Sequence, residues 1–182
     1  MKKLLWAFIL LGILALVLIF PGTAGAAPLL PNGIADGIQV YFDGAHGEAE
    51  WDDAADLITL KAKDNNAVFT LSMVSPSTQS PANIVVSRPS GSPATNVELI
   101  LAGLNMSTTA ANAIEFDGNI TNATIALSPG STNKVAGRGS VIVTAGTASL
   151  TINGEGTLEV TGGTKGIEAG TIDIFGSTVK AT

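Results

Sequence analysis

The chain reads as an all-β protein, a right-handed parallel β-helix (solenoid) with an N-terminal cap that follows a cleaved signal peptide. Two observations predict the solenoid: Ala148 to Thr182 states one strand–corner–strand pattern twice, and apolar pairs upstream recur at nearly constant steps. A third, an apolar leader, marks where the folded part begins.

The leader comes first. Lys2 and Lys3 precede an uninterrupted apolar run from Leu4 to Phe20, followed by Pro21-Gly-Thr-Ala-Gly-Ala-Ala, in which Ala24-Gly-Ala26 fits the small-residue cleavage rule. Cleavage is expected between Ala26 and Ala27, so residues 1–26 are the signal peptide. The run of 17 residues is long for a signal core and marginal for a membrane span, which leaves an uncleaved anchor as the alternative. About 156 residues remain, one domain by length, with no membrane association expected after cleavage.

Residues 27–66 form an acidic N-terminal segment and cap. Eight of the 15 acidic residues lie between Asp36 and Asp64, the one marked shift in composition. Ala54 to Ala62 and Ala67 to Met73 read as strands parted by the turn-forming Lys63-Asp-Asn-Asn. A cap matters because the first rung of a solenoid otherwise exposes unpaired backbone groups. Ser75 to Pro81 and Pro89 to Pro93 are Ser- and Pro-rich loops flanking the Ile84-Val-Val strand.

Residues 67–182 are assigned to parallel β-helix rungs. Leu99/Leu101, Ile125/Leu127, Leu150/Ile152 and Ile172/Ile174 superpose as inward pairs, with steps of 26, 25 and 22 residues. A glycine follows each pair, at Gly103, Gly130, Gly154 and Gly176, where a corner needs a positive φ or a close backbone approach. Second strands follow with inward pairs Leu104/Met106, Leu158/Val160 and Val179/Ala181, while the intervening rung has only Val135 in place. Third strands give Ile114/Phe116, Val141/Val143 and Ile167/Ala169. Alternation with a period of two implies one buried and one solvated face per strand.

Composition narrows function. Without Lys2 and Lys3 the chain has 7 basic against 15 acidic residues, a formal charge of −8. Nucleic acid and anionic bilayers, which need basic patches, are therefore not expected partners. There is no cysteine, hence no disulfide framework and no thiol chemistry.

The segments Ala67-Val-Phe-Thr-Leu-Ser, Ala82-Asn-Ile-Val-Val, Asn96 to Ser107, Ala113-Ile-Glu-Phe, Ala148 to Gly162 and Gly166 to Ile174 carry a family resemblance. Over roughly Ala54 to Thr182 the chain resembles the bacterial carbohydrate-binding β-helix family of exported clostridial and related surface proteins. The resemblance implies a polysaccharide-lyase-like β-helix without lyase activity, an acidic plant polysaccharide as ligand, and calcium. It carries no binding signature onto individual residues. Relatives of that kind run on for several more rungs beyond the position of Thr182, so a fragment with an incomplete binding surface is one expectation.

Candidate chemistry is sparse. His46 lies in the polar Gly44-Ala-His-Gly loop and reads as a surface histidine, since no second imidazole or thiolate exists to complete a zinc site. Glu115 and Asp117 share an outward face if Ile114 and Phe116 point in, Glu168 stacks over the same column two rungs on, and Arg138 lies just before the strand between. These carboxylates are candidate glycan contacts, with a solvated polar face as the plainer reading. A lyase needs a base such as Arg138 or Lys165 beside a calcium-held uronate.

Asp43, Glu48, Glu50, Asp52, Asp53 and Asp56 supply the hard oxygens that calcium prefers, but in neither EF-hand nor β-roll spacing. A solvated acidic loop is the alternative. Tyr41 and Trp51 beside them are candidates to stack on sugar, with the core of the cap as the plainer role. Asn105, Asn119 and Asn122 begin weak glycosylation sequons.

Two functions from different classes follow. The first is a secreted or cell-surface protein that binds extracellular polysaccharide, with calcium assisting an acidic glycan. The second is a structural or adhesive solenoid that associates end to end through its last rung. An enzyme is not expected, because no catalytic constellation assembles.

Overall fold

In a computed structural model, residues 27–29, 33–89 and 96–182 are described; the signal peptide with its cleavage site, and most of the Pro89–Pro93 loop, lie outside them. The described residues contain strands, turns and no helix. Stacked parallel strands coil through about four turns, as the sequence predicts.

Four short strands make the cap: β1 (Ala27–Leu29), β2 (Gly33–Ala35), β3 (Ile38–Phe42) and β4 (Gly47–Asp52). Asp36 and Gly37 join β2 to β3 with φ of 46° and 78°, the two-residue turn that Asp-Gly favours between twisted strands. Coiling begins with β5 (Leu57–Ala62) and β6 (Val68–Met73), then β7 (Asn83–Ser87), β8 (Asn96–Ala102) and β9 (Asn105–Ser107). It repeats through β10 (Ile114–Phe116), β11 (Asn122–Leu127) and β12 (Thr132–Ala136), and again through β13 (Ser140–Thr144), β14 (Ser149–Gly154) and β15 (Thr157–Thr161). The last level is β16 (Lys165–Glu168), β17 (Thr171–Phe175) and β18 (Thr178–Ala181).

Three sheets result. Face A has the order β1-β4-β5-β7-β10-β13-β16, face B β17-β14-β11-β8-β6-β3-β2, and face C β18-β15-β12-β9. Strands from β5 onward pair in parallel, whereas β1, β2, β3 and β4 pair antiparallel. The strands that pair only antiparallel end with β4 at Asp52, inside the 27–66 segment. Ile58 and Leu60 of β5 already carry the inward alternation, and β5 pairs in parallel with β7.

The core is the stack of inward side chains. Leu99, Leu101, Ile125, Leu150 and Ile152 are fully buried and Leu127 nearly so, each such side chain contributing roughly 1.5–3 kcal/mol of transfer free energy. Their corner glycines, Gly103, Gly130, Gly154 and Gly176, all have positive φ, from 69° to 97°. Ile172 and Ile174 keep the inward register over Leu150 and Ile152 but are 40% and 48% exposed, since β17 is hydrogen-bonded on one side only.

Two registers differ from the expectation. Leu150/Ile152 align with Ala123/Ile125 rather than with Ile125/Leu127, so Leu127 stands opposite Gly154 and the inward columns are Leu99–Ile125–Ile152–Ile174 and Val97–Ala123–Leu150–Ile172. On β13 the inward pair is Ile142/Thr144, aligned with Ile114/Phe116, while Val143 faces outward opposite Glu115. Val141-Ile-Val is apolar in both phases, so alternation alone cannot choose between them; the pairing with β10 does. The second gap is filled by Asn133, fully buried in the column between Leu104 and Leu158.

Candidate functional site

Parallel in-register pairing turns each outward position into a column with a spacing of about 4.8 Å. On face B one such column runs Asn96, Asn122, Ser149 and Thr171. Asn122 Nδ2 donates to Asn96 Oδ1 at 2.8 Å, and Ser149 Oγ donates to Asn122 Oδ1 at 2.8 Å, so its members brace one another. A second column runs Tyr41, Thr70, Ile100, Ala126, Asn153 and Phe175.

Glu115 and Glu168 share a face A column, in the order Thr59, Val85, Glu115, Val143, Glu168. Each is already engaged. Glu115 Oε2 accepts from Asn112 Nδ2 at 2.9 Å. Glu168 accepts from Lys165 and from the Ser140 hydroxyl, and those bonds, Lys165 first, hold its carboxyl below the usual range. Asp117 lies past the end of β10, where Oδ1 accepts Asn119 N at 2.9 Å and Oδ2 accepts Arg88 N at 3.2 Å. It shapes the corner between faces A and B.

The two aromatic candidates part company. Tyr41 is 54% exposed on the outer side of face B. Trp51 sits opposite the inward Ile58 on the first levels of face A and packs, partly buried, against the core. The Phe42 and Phe69 rings lie 6.0 Å apart. Tyr41, Trp51, Glu115, Asp117 and Glu168 therefore do not make one surface.

The acidic segment is likewise dispersed. Glu48 pairs with Lys63 at 2.9 Å and Glu50 with Lys61, across the β4–β5 ladder. Lys63 lowers the Glu48 pKa. Both glutamates border an open depression of about 290 Å³ beside Leu29, Phe42 and Lys63. Asp43 accepts Ala45 N, and Asp52 accepts Ala54 N and Ala55 N, which builds their turns. Asp56 takes a φ of 48° in the β4–β5 turn, and Asp53 is exposed beside it. Among the described residues no three of these carboxylates, with or without His46, gather into a group able to hold a metal ion.

His46 joins two corners of the cap. Its Nδ1 lies 2.8 Å from Asp64 Oδ2, which raises the imidazole pKa and lowers that of the carboxyl. Lys63 reinforces the contact, donating its backbone N–H to His46 O and its ammonium to Gly44 O, both at 2.9 Å.

Arg138 and Lys165 do not converge on Glu115. Arg138 is exposed at the corner before β13, and Lys165 is bound to Glu168.

Sequence reasoning passed over face B. Its signal was present as the residues between the inward ones, Asn96, Glu98, Ile100, then Asn122, Thr124, Ala126, then Ser149, Thr151, Asn153. No family model, no curated protein and no solved structure matches the chain.

Proposed function

We propose that the protein is a secreted or cell-surface polysaccharide-binding module that acts by presentation rather than by catalysis. The observation that carries this reading is the braced outward column of Asn96, Asn122 and Ser149 on the same face as the column from Tyr41 to Phe175, with the Glu98, Thr124, Thr151 and Asp173 column between the two. A polymer of regularly spaced hydroxyls needs donors and acceptors repeated along a line, together with apolar surface for the faces of its rings. In-register strands supply both along the solenoid axis.

An acidic glycan meets a chain of formal charge −6, or −8 without its leader. Repulsion over a Debye length of about 8 Å opposes binding. Calcium shared between protein carboxylates and uronate oxygens reverses the local sign, with Glu115 and Glu168 as the outward carboxylates on one column. Migration in native gels containing polygalacturonate, with calcium and with chelator, tests the mechanism. Retardation lost on chelation is expected; retardation indifferent to chelator contradicts the bridge.

A structural or adhesive solenoid is the second reading. It is favoured by the exposure of Ile172, Ile174 and Phe175 on β17, the outermost strand of face B among the described residues, apolar surface on which a further strand can stack. Sedimentation of this chain over a concentration series tests it: end-to-end association is expected, and strict monomers at high concentration count against it.

A further inference from the structure

Face B differs from the other two in charge and in apolar content. Its outward positions carry two acidic residues, Glu98 and Asp173, and among its described residues no Lys or Arg. Face A displays Glu48, Glu50, Lys61, Glu115, Lys165 and Glu168. Face C stacks Lys134, Glu159 and Lys180 in one column. Of the large apolar side chains exposed in the described residues, Ile34, Tyr41, Val68 and Phe175 all stand on the outer side of face B.

The placement of the two rings adds direction. Tyr41 is 54% exposed and Phe175 61% exposed, and both belong to one column, joined through Thr70, Ile100, Ala126 and Asn153 without a break in register. Five strand spacings of about 4.8 Å put them roughly 24 Å apart along the axis. Between them lie the uncharged Thr70, Ile100, Ala126 and Asn153; the next outward column on one side is Val68, Glu98, Thr124, Thr151 and Asp173, and the hydrogen-bonding Asn96–Asn122–Ser149 column lies beyond it. An extended pyranose chain advances by roughly one strand spacing per unit, so about six units reach from ring to ring.

We infer that face B binds a single extended chain of a neutral polysaccharide, laid parallel to the solenoid axis with Tyr41 and Phe175 stacking on sugar units at its two ends. The inference rests on the polysaccharide-binding reading and names the ligand class for this face. Neutral ligand chemistry follows from charge: without a cation on the face, a carboxylated or sulfated chain meets only Glu98 and Asp173. Aromatic faces at both ends and hydroxyl and amide groups along the side match the apolar ring faces and equatorial hydroxyls of an uncharged glycan.

The test is retardation of the full chain in native gels cast with a neutral, extended β-linked glucan, read against a gel without polysaccharide. Tyr41→Ala and Phe175→Ala should each weaken binding on the order of tenfold, and together abolish retardation. Tyr41→Phe and Phe175→Tyr should keep it, as should Lys134→Ala on face C. Both rings are exposed, so melting temperatures of the alanine variants should stay near that of the parent. Soluble oligosaccharides should bind more tightly with length up to about six units and then level off.

Unchanged retardation of the double alanine variant overturns the assignment, as does a length dependence that ends at two or three units. Retardation by polygalacturonate but not by any neutral glycan also overturns it, while leaving polysaccharide binding in place. Retardation in no gel overturns both.

Discussion

The side-chain oxygen of Asn133 accepts the backbone N–H of Leu104 at 2.9 Å, tying one level of the solenoid to the level before it. The same oxygen accepts Gly103 N at 2.9 Å, and Nδ2 donates to Ser131 Oγ and to Thr157 O on the following level. All four hydrogen-bonding positions of a fully buried amide are filled. Asn133 interrupts a leucine column, between Leu104 and Leu158, and binds three consecutive levels at their B–C corners.

Asn133→Ala should therefore cost about 1–3 kcal/mol, because Gly103 and Leu104 lose their acceptor in a dry interior. Asn133→Leu fills the column but leaves the same N–H groups unpaired, and should also destabilise. Chemical denaturation of both variants checks this, and a leucine variant at least as stable as the parent contradicts the account.

The strand register predicts opposite outcomes at adjacent positions. Leu150→Asp places a carboxylate where the parent side chain is fully buried and should cost several kcal/mol. Thr151 faces outward opposite Asp173, so Thr151→Lys should change stability by roughly 0.5 kcal/mol or less. Equal shifts in melting temperature would mean that β14 is a residue out of phase.

Two corner glycines should respond unequally. Gly103 and Gly154 both have positive φ, but a Cβ on Gly103 meets open space, whereas one on Gly154 falls 2.2 Å from Leu127 O. Gly103→Ala should cost about 1–2 kcal/mol for left-handed backbone alone. Gly154→Ala adds a collision with main chain and should cost distinctly more. Comparable losses by calorimetry would contradict the corner geometry.

His46 is the only histidine, so its titration is readable by NMR without assignment ambiguity. Its folded pKa is raised by Asp64, so the contact stabilises the cap fully below the ordinary imidazole value of about 6.5 and fades as pH rises through the raised value. The Asp64 pKa is depressed, so the same contact is present above the ordinary carboxyl range and is lost as pH falls through the lowered value. The ring should titrate above 6.5 in the parent and nearer to it in Asp64→Asn. An unmoved midpoint in that variant would remove Asp64 as the cause.

The fold was legible because coiling imposes a simple rule on residue order. Leu99, Ile125, Leu150 and Ile172 all keep the inward register that their alternation indicates, but in two columns: Leu99 and Ile125 align with Ile152 and Ile174, and Leu150 and Ile172 with Val97 and Ala123. Legibility failed where the rule lost contrast. Val141-Ile-Val is apolar at every position, and Asn133 is polar inside, its place justified by main-chain groups that are distant in sequence. The Asp36-Gly37 turn was available as a hairpin signal, and it starts the antiparallel cap.

The candidate site was less legible for a related reason. Glu115 and Glu168 were correctly aligned, since outward columns follow once inward ones are known. Tyr41 and Trp51 are near in sequence yet occupy different sheets, one facing out and the other in, because the chain turns a corner between β3 and β4. Phe175 joins Tyr41 only through five strand pairs, a relationship that no local pattern encodes.

The most direct measurement is binding of the purified chain to an array of neutral and acidic polysaccharides, with calcium and with chelator. The account predicts saturable binding to extended glycans, with binding to neutral chains independent of calcium and binding to acidic chains abolished by chelator. Binding to no glycan on the array under either condition would contradict it.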